Sequence, residues 1–341
     1  MSHIIPQKNL SVEQNWLQQL ANGISDPAEL LSILNIDPKN YATDFSARTL
    51  FALRVPISFV ERMEKGNPND PLLLQVMPVK EEFQHVAGFS TDPLEEQNNT
   101  QPSLLHKYKN RVLLVLKGGC AVNCRYCFRR HFPYSENKGS KSIWQKNLQY
   151  IADHPEISEV ILSGGDPLMA KDHELQWLIK ETEKIKHVRT FRIHTRLPVV
   201  IPSRVTDSLC SMLKETRLNT VVVTHINHPN EINNELAHAM TMLKQSNVTL
   251  LNQGVMLKGV NDNVATLASL SEKLFSIGIL PYYMHVLDKV QGAAHFYISD
   301  EKAKQLMRGL MAEVSGYLVP SLTREIGGRS SKTPLDLNLC Q

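Results

Sequence analysis

Three of the five cysteines fall within eight residues, Cys120-Ala-Val-Asn-Cys124-Arg-Tyr-Cys127, with spacing C-x3-C-x2-C. Thiolates are soft ligands, suited to iron–sulfur clusters or to zinc. On a four-iron cluster, three protein ligands leave one iron open. An open position can chelate a small molecule, which is what separates catalytic from structural metal sites. The competing chemistry is a structural zinc site, in which His131 completes a Cys3His set. Such sites usually draw two ligand pairs from separate segments, whereas here all four would come from one short loop. Cys210 and Cys340 stand alone, and an odd, clustered count fits a ligand set in a reducing compartment better than a disulfide framework.

The elements that must position these cysteines are short β-branched runs. They occur at 112–117, 159–165, 188–195, 219–227, 248–255 and 279–286, and after the first interval recur at the length of a βαβ unit. Their continuous rather than alternating apolar character predicts strands buried on both faces of a parallel sheet. Helical segments at 173–186 and 234–245 fit between them. Six units are too few for a closed eightfold barrel, so the expected fold is α/β, an open, partial six-unit parallel βα barrel. Sites in such folds lie at the C-terminal ends of strands. Cys120, Gly164-Gly165-Asp166, His194-Thr195-Arg196, His225, Gln253 and His285 to Asp288 all fall there.

Ahead of the barrel, residues 1–103 read as a mainly helical region and linker. A capping box at Ser11 and Gln14, a helix from Asp26-Pro27, further helices over 45–53 and 57–65, and a polar connection over 92–103 are expected. The barrel is assigned to 104–290. A C-terminal segment, 291–341, carries Gly327-Gly-Arg-Ser-Ser-Lys332-Thr-Pro. A lysine after such a loop is ordinarily a solvated one.

The cysteine spacing after the first strand, with Gly164-Gly165-Asp166 after the second, resembles the radical S-adenosylmethionine superfamily. Between Asp70 and Pro334 the chain also resembles the lysine 2,3-aminomutase family. The resemblance is carried by Asp70 to Gln75, His106-Lys-Tyr108 with Arg111, Cys120 to Arg130, Leu162 to Leu168, His225 to Glu231 and Tyr282 to Asp288, and it ends in Gly-x4-Lys-Thr-Pro. It implies a [4Fe–4S] cluster on Cys120, Cys124 and Cys127. S-adenosylmethionine would be seated with the help of Gly164, Gly165, Asp166, His225 and Gln253, and pyridoxal phosphate held by Lys332 as a Schiff base. An imine π-system can delocalise the unpaired electron while an amino group migrates between neighbouring carbons. By the same resemblance Arg129 pairs with the substrate carboxylate, a match of guanidinium fork to planar carboxylate. It could equally neutralise the anionic cluster region. Asp288 and Glu325 would hold a distant ammonium. Lys107 and Arg111 match basic positions near the cofactor phosphate, or are surface charges.

The expected activity is therefore that of an L-lysine 2,3-aminomutase, an isomerase making β-lysine. The short form ending in Lys332-Thr-Pro-Leu-Asp-Leu resembles a bacterial subgroup whose β-lysine serves the modification of elongation factor P by a separate ligase. Departures from the family are Glu325 for aspartate, His285 for tyrosine, and Arg329-Ser330-Ser331 within the glycine-rich loop. The family's zinc-binding C-terminal extension does not follow Lys332, and Cys340 alone does not replace it. An aminomutase for another amino acid such as glutamate, or a non-catalytic iron–sulfur or zinc sensor, are the alternatives. The electron donor is not specified by the residues, and Cys210 and His194 are assigned no catalytic part.

A formal charge of +3 over 341 residues argues against nucleic acid or an anionic membrane as the main partner. No basic leader followed by an unbroken apolar run precedes the first helix, so the cytoplasm is the expected location.

Overall fold

The computed structural model describes residues 12–97, 101–134, 137 and 139–339. The capping box expected at Ser11 and the side chain of Cys340 fall outside them. Each of the six β-branched runs forms a strand: β2 (Arg111–Lys117), β3 (Glu159–Gly164), β4 (Thr190–Thr195), β5 (Asn219–Thr224), β6 (Thr249–Val255) and β7 (Leu280–His285). All pair in parallel, with Leu113 opposite Ile161 and Val221 opposite Thr249.

Three further strands complete a nine-stranded sheet whose spatial order is its sequence order. β1 (Leu104–Tyr108) adds antiparallel to β2, β8 (Ser321–Arg324) adds parallel to β7, and β9 (Thr333–Pro334) turns back antiparallel on β8. β8 and β9 have four and two residues, too few to carry a period.

The crossover helices begin where short polar side chains cap them. Ser140 accepts from the Ile143 N–H, Thr206 from Leu209, Asn233 from Leu236 and Asn263 from Thr266. The helix Asn234–Gln245 has the expected bounds, and that expected over 173–186 runs Asp172–Glu183. Their apolar stripes, such as Leu236, Ala239, Met240 and Leu243, close the core over the outer face of the sheet.

The N-terminal region is less helical than its apolar spacing predicts. Asp26 caps a helix over Pro27–Ile33 as expected. Over 45–53, however, only the tight turn Phe45–Thr49 forms, and over 57–65 only Ile57–Val60. Beyond these short turns the chain bonds to the barrel and its cysteine loop. Arg54 O accepts from Asn123 N at 2.9 Å, Gln75 O accepts from Arg125 N at 2.9 Å, and Arg62 donates to the carbonyls of Val199 and Glu231 at 2.6 and 2.7 Å. The region is a clamp over the cysteine end of the barrel. The polar stretch after Asp92 is more than a connection. Asp92 accepts from the N–H groups of Glu96 and Gln97 at 2.9 and 3.0 Å, and so turns Glu96 inward to 4% exposure.

Candidate active site

Strands β1 to β7 wrap around a cavity of about 560 Å3. Its wall includes Cys120, Cys124 and Cys127 at one end and Glu325, Lys332 and His285 at the other. The residues assigned by resemblance to the cluster, cofactors and substrate all border this one space: Lys107, Arg111, Arg129, Gly164, Gly165, Asp166, His225, Gln253 and Asp288 besides those just named.

The cysteines sit in the loop after β2, and none is in a disulfide. The loop is pinned from inside by Glu82, whose fully buried carboxylate takes Arg125 at 2.8 and 2.5 Å and Arg130 at 2.7 Å. Beside it lies a second buried network. Arg196 reaches Cys124 Sγ, the Tyr126 hydroxyl and Gln75, each at 2.7 Å, and Glu231 at 2.9 Å. Tyr126 in turn stacks on His225, with its hydroxyl 2.9 Å from Nε2. Burial, then the nearby Arg196 cation, presses the His225 imidazole down to about 3, so it is neutral. Burial followed by the other thiols and Asp166 raises Cys120 well above the ordinary thiol range, and burial with Cys124 pushes Cys127 up to about 11. The Cys120 and Cys127 thiols ionise only against a strong local cation, which a metal centre supplies.

No three His, Cys, Asp or Glu side chains among the described residues gather around one point as ligands of a single ion. Ligands of one zinc must do so, whereas cluster cysteines each take a different iron. His131 instead donates through Nε2 to the Gln291 carbonyl at 3.1 Å.

Gly164 and Gly165 face the cysteine loop closely. Gly164 has φ +110°, and a Cβ on Gly165 would lie 2.5 Å from the Gly119 carbonyl oxygen. The glycines therefore let two backbone turns pack together at the sulfur end. Asp166 accepts from Thr195 Oγ1 and the N–H groups of Leu168, Arg196 and Leu197 at 2.7–3.0 Å, tying the ends of β3 and β4 to each other.

At the opposite end the charges pair among themselves. Lys332 Nζ donates to Glu325 Oε2 at 3.0 Å and lies 3.4 Å from His285 Nε2. Lys107 donates to Glu325 Oε1 at 3.0 Å and to Glu96 at 2.8 Å. Against the upward push of burial, Lys332 and then Lys107 hold the Glu325 carboxyl well below its ordinary range. Burial and the Lys332 cation hold His285 neutral. Asp288 has no such bonded cation, and burial followed by the Glu325 charge pushes its carboxyl up to about 7. Arg111 lies over the Tyr108 ring, 4.2 Å from its centre, and Gln253 contacts His194 at 3.3 Å. His194, to which the sequence lent no part, lies in the cavity wall, while Cys210 packs in the outer core.

Residues 114–270 match the Radical SAM superfamily. Over 342 residues, all of both proteins, the chain is 59% identical to the L-lysine 2,3-aminomutase of Escherichia coli strain K12. With the L-lysine 2,3-aminomutase of Haemophilus influenzae it shares 62% over 332 residues, 97% of this chain and 98% of that protein. The chain belongs to the L-lysine 2,3-aminomutase family. A more distant member, from Acetoanaerobium sticklandii, is 36% identical over 94% of this chain and 78% of its own length. Membership bears out the isomerase expectation and the three groups that go with it, a [4Fe–4S] cluster, S-adenosylmethionine and pyridoxal phosphate. The donors suit them: soft sulfurs at one end, and at the other a primary amine beside a neutral histidine.

Sequence reasoning placed Ser163 at the strand-end rim, and missed Glu96 and the Arg196–Glu231 pair as parts of this wall or its support. Glu231 and Arg196 stand in stretches that drew attention, but an ion pair across 35 residues leaves no local pattern. Glu96 offered only the neighbouring Asp92-Pro turn as a signal. No helix among the described residues is long and apolar enough to cross a membrane.

Proposed function

We propose that the protein converts L-lysine to β-lysine in this cavity. The observation that carries the reading is the joining of a three-thiol loop and a paired, reachable Lys332 in one enclosed space, with cationic and anionic anchors between them. When bound, the cluster and S-adenosylmethionine supply a hydrogen-abstracting radical, and pyridoxal phosphate supplies a conjugated system that spreads the unpaired electron. The chain's own residues do the rest. Cys120, Cys124 and Cys127 hold the cluster, with Arg196 beside Cys124 balancing negative charge. Arg129 holds the substrate carboxylate, and Asp288 and Glu325 hold the ε-ammonium. Two carboxylates at that end disfavour glutamate, whose side chain they would repel.

Lys332 attaches pyridoxal phosphate, and the His285 imidazole lies 3.4 Å from Nζ. Arg111 suits the cofactor phosphate, since Lys107 is already committed to two carboxylates. The three unpaired thiols suit the reducing cytoplasm. The supply of β-lysine to a ligase acting on elongation factor P rests on the resemblance of the segment Lys332-Thr-Pro-Leu-Asp-Leu to the bacterial subgroup.

The test is anaerobic reconstitution followed by incubation with S-adenosylmethionine, pyridoxal phosphate, reductant and L-lysine, with products resolved against α- and β-lysine standards. β-Lysine that is absent from Lys332→Ala reactions is the expected result. An intact cluster that cleaves S-adenosylmethionine and leaves lysine unchanged would overturn the substrate assignment.

A further inference from the structure

Arg129 and Glu325 both line the cavity, and they are not independent. Glu96 accepts from Arg129 Nε at 2.6 Å and from Nη2 at 3.1 Å. Ser163 Oγ accepts from Nη1 at 3.1 Å, so all three guanidinium nitrogens are held and its plane cannot turn. The Glu96 carboxylate also accepts from Lys107 Nζ at 2.8 Å, and the same ammonium donates to Glu325 at 3.0 Å. Arg129–Glu96–Lys107–Glu325 is thus one continuous run of charge-assisted bonds, the shortest kind. Its members are largely shielded, Arg129 at 7% side-chain exposure, Glu96 at 4%, Lys107 at 24% and Glu325 at 16%. Arg129 holds Glu96 ionised against the cost of burial, with Lys107 adding to the effect. Glu96 has no place in the family reading of the sequence, and Lys107 was assigned there to a phosphate.

We propose that Glu96 and Lys107 form a strut that fixes the separation of the two substrate anchors, and that this separation selects lysine over the amino acid one methylene shorter, ornithine. The strut rests on the assignment of Arg129 to the carboxylate and Glu325 to the ammonium. A zwitterionic chain with a cationic tail must span both anchors at once. A rigid gap penalises the shorter chain by the loss of one charged contact, while a gap free to close does not. Glu96 and Lys107 are positioning residues, since neither needs to touch the substrate.

The experiment uses anaerobically reconstituted holoenzyme, with iron and sulfide counted for each variant. Turnover of L-lysine and L-ornithine is measured, together with binding of each by calorimetry in the absence of reductant. The wild type is expected to favour lysine by about tenfold or more, the usual worth of a methylene-sized distinction. Glu96→Gln and Lys107→Met each bring the ratio down by about tenfold, mainly through a higher KM and Kd for lysine. Glu96→Asp keeps the charge but shortens the strut, and it too lowers the ratio, whereas a carboxylate needed only for folding would be rescued by aspartate. Equal losses for both substrates, or a wild-type ratio in Glu96→Asp and Lys107→Met, overturn the strut. Arg129→Gln separates the two levels of the argument. If it leaves the KM for lysine unchanged, the anchor assignment fails and the strut fails with it. If it raises that KM while the strut variants keep the wild-type ratio, the strut alone fails.

Discussion

The two ends of the cavity are built on different principles. At the sulfur end the three ligands come from eight consecutive residues, and a surrounding network of buried arginines, Arg125, Arg130 and Arg196, holds their loop. At the amine end the functional charges come from Glu96, Lys107, Arg129, Asp288, Glu325 and Lys332, six separate points of the chain, of which all but Asp288 are joined by ion pairs. The sulfur end is local and scaffolded, whereas the amine end is assembled and self-supporting. Damage to a scaffold should therefore spread to the cofactor it holds, while damage at the amine end should stay in binding and chemistry.

The sharpest test of that contrast sets one substitution at each end side by side. Cys124→Ala is expected to lose both activity and iron, with an iron and sulfide count falling toward zero. Lys332→Ala is expected to lose detectable turnover and all borohydride-trapped pyridoxal phosphate, yet to keep the wild-type iron count. Iron loss from the Lys332 variant would break the division between the ends.

Glu231→Gln comes next. It leaves Arg196 buried beside an uncharged partner, and breaking a fully buried pair costs about 3–5 kcal/mol. Thermal or urea unfolding should show that loss, with weaker retention of iron in step with it.

A smaller effect is expected at Asp288. Its carboxyl is protonated below about pH 7, whereas pairing with an ammonium needs the ionised form. Lysine binding should tighten as pH rises toward 7, by up to about tenfold per unit. Calorimetric Kd values against pH would show the slope, and Asp288→Asn should flatten it. The same raised carboxyl costs stability as pH rises from about 4, its unfolded value, through 7, because the folded state then holds a proton that the unfolded chain has released.

The smallest effect lies outside both ends. Lys184 pairs with Glu181 at 2.7 Å on the surface with 69% of its side chain exposed, and Lys184→Ala should change stability by less than about 1 kcal/mol in urea melts.

The same contrast decides what was legible in the sequence. The six long strands announce themselves because burial on both faces demands unbroken β-branched runs, and the cysteines because a cluster loop is contiguous. Lys332 could be found only by likeness to relatives, since Gly-Gly-Arg-Ser-Ser before a lysine describes any flexible loop. Glu96 was hidden in a polar stretch whose composition suits a connection, and only its turn on Asp92 brings it inside. The N-terminal helices were overdrawn because apolar spacing records a buried face without recording what the backbone bonds to. The turn over Ile57–Val60 stops two residues before Arg62, whose side chain reaches the carbonyls of Val199 and Glu231 on the barrel.

One feature of the sheet reaches beyond the site. Its order runs from β1 to β9 without the two ends pairing, yet Lys107 on β1 meets Glu325, just past β8, at 3.0 Å. Where a closed barrel has a ladder of backbone hydrogen bonds, this one has a seam stitched by side chains. The bond that closes the seam is also the last link of the run from Arg129 to Glu325, so the side chains that space the substrate anchors are the ones that join the two edges of the open sheet.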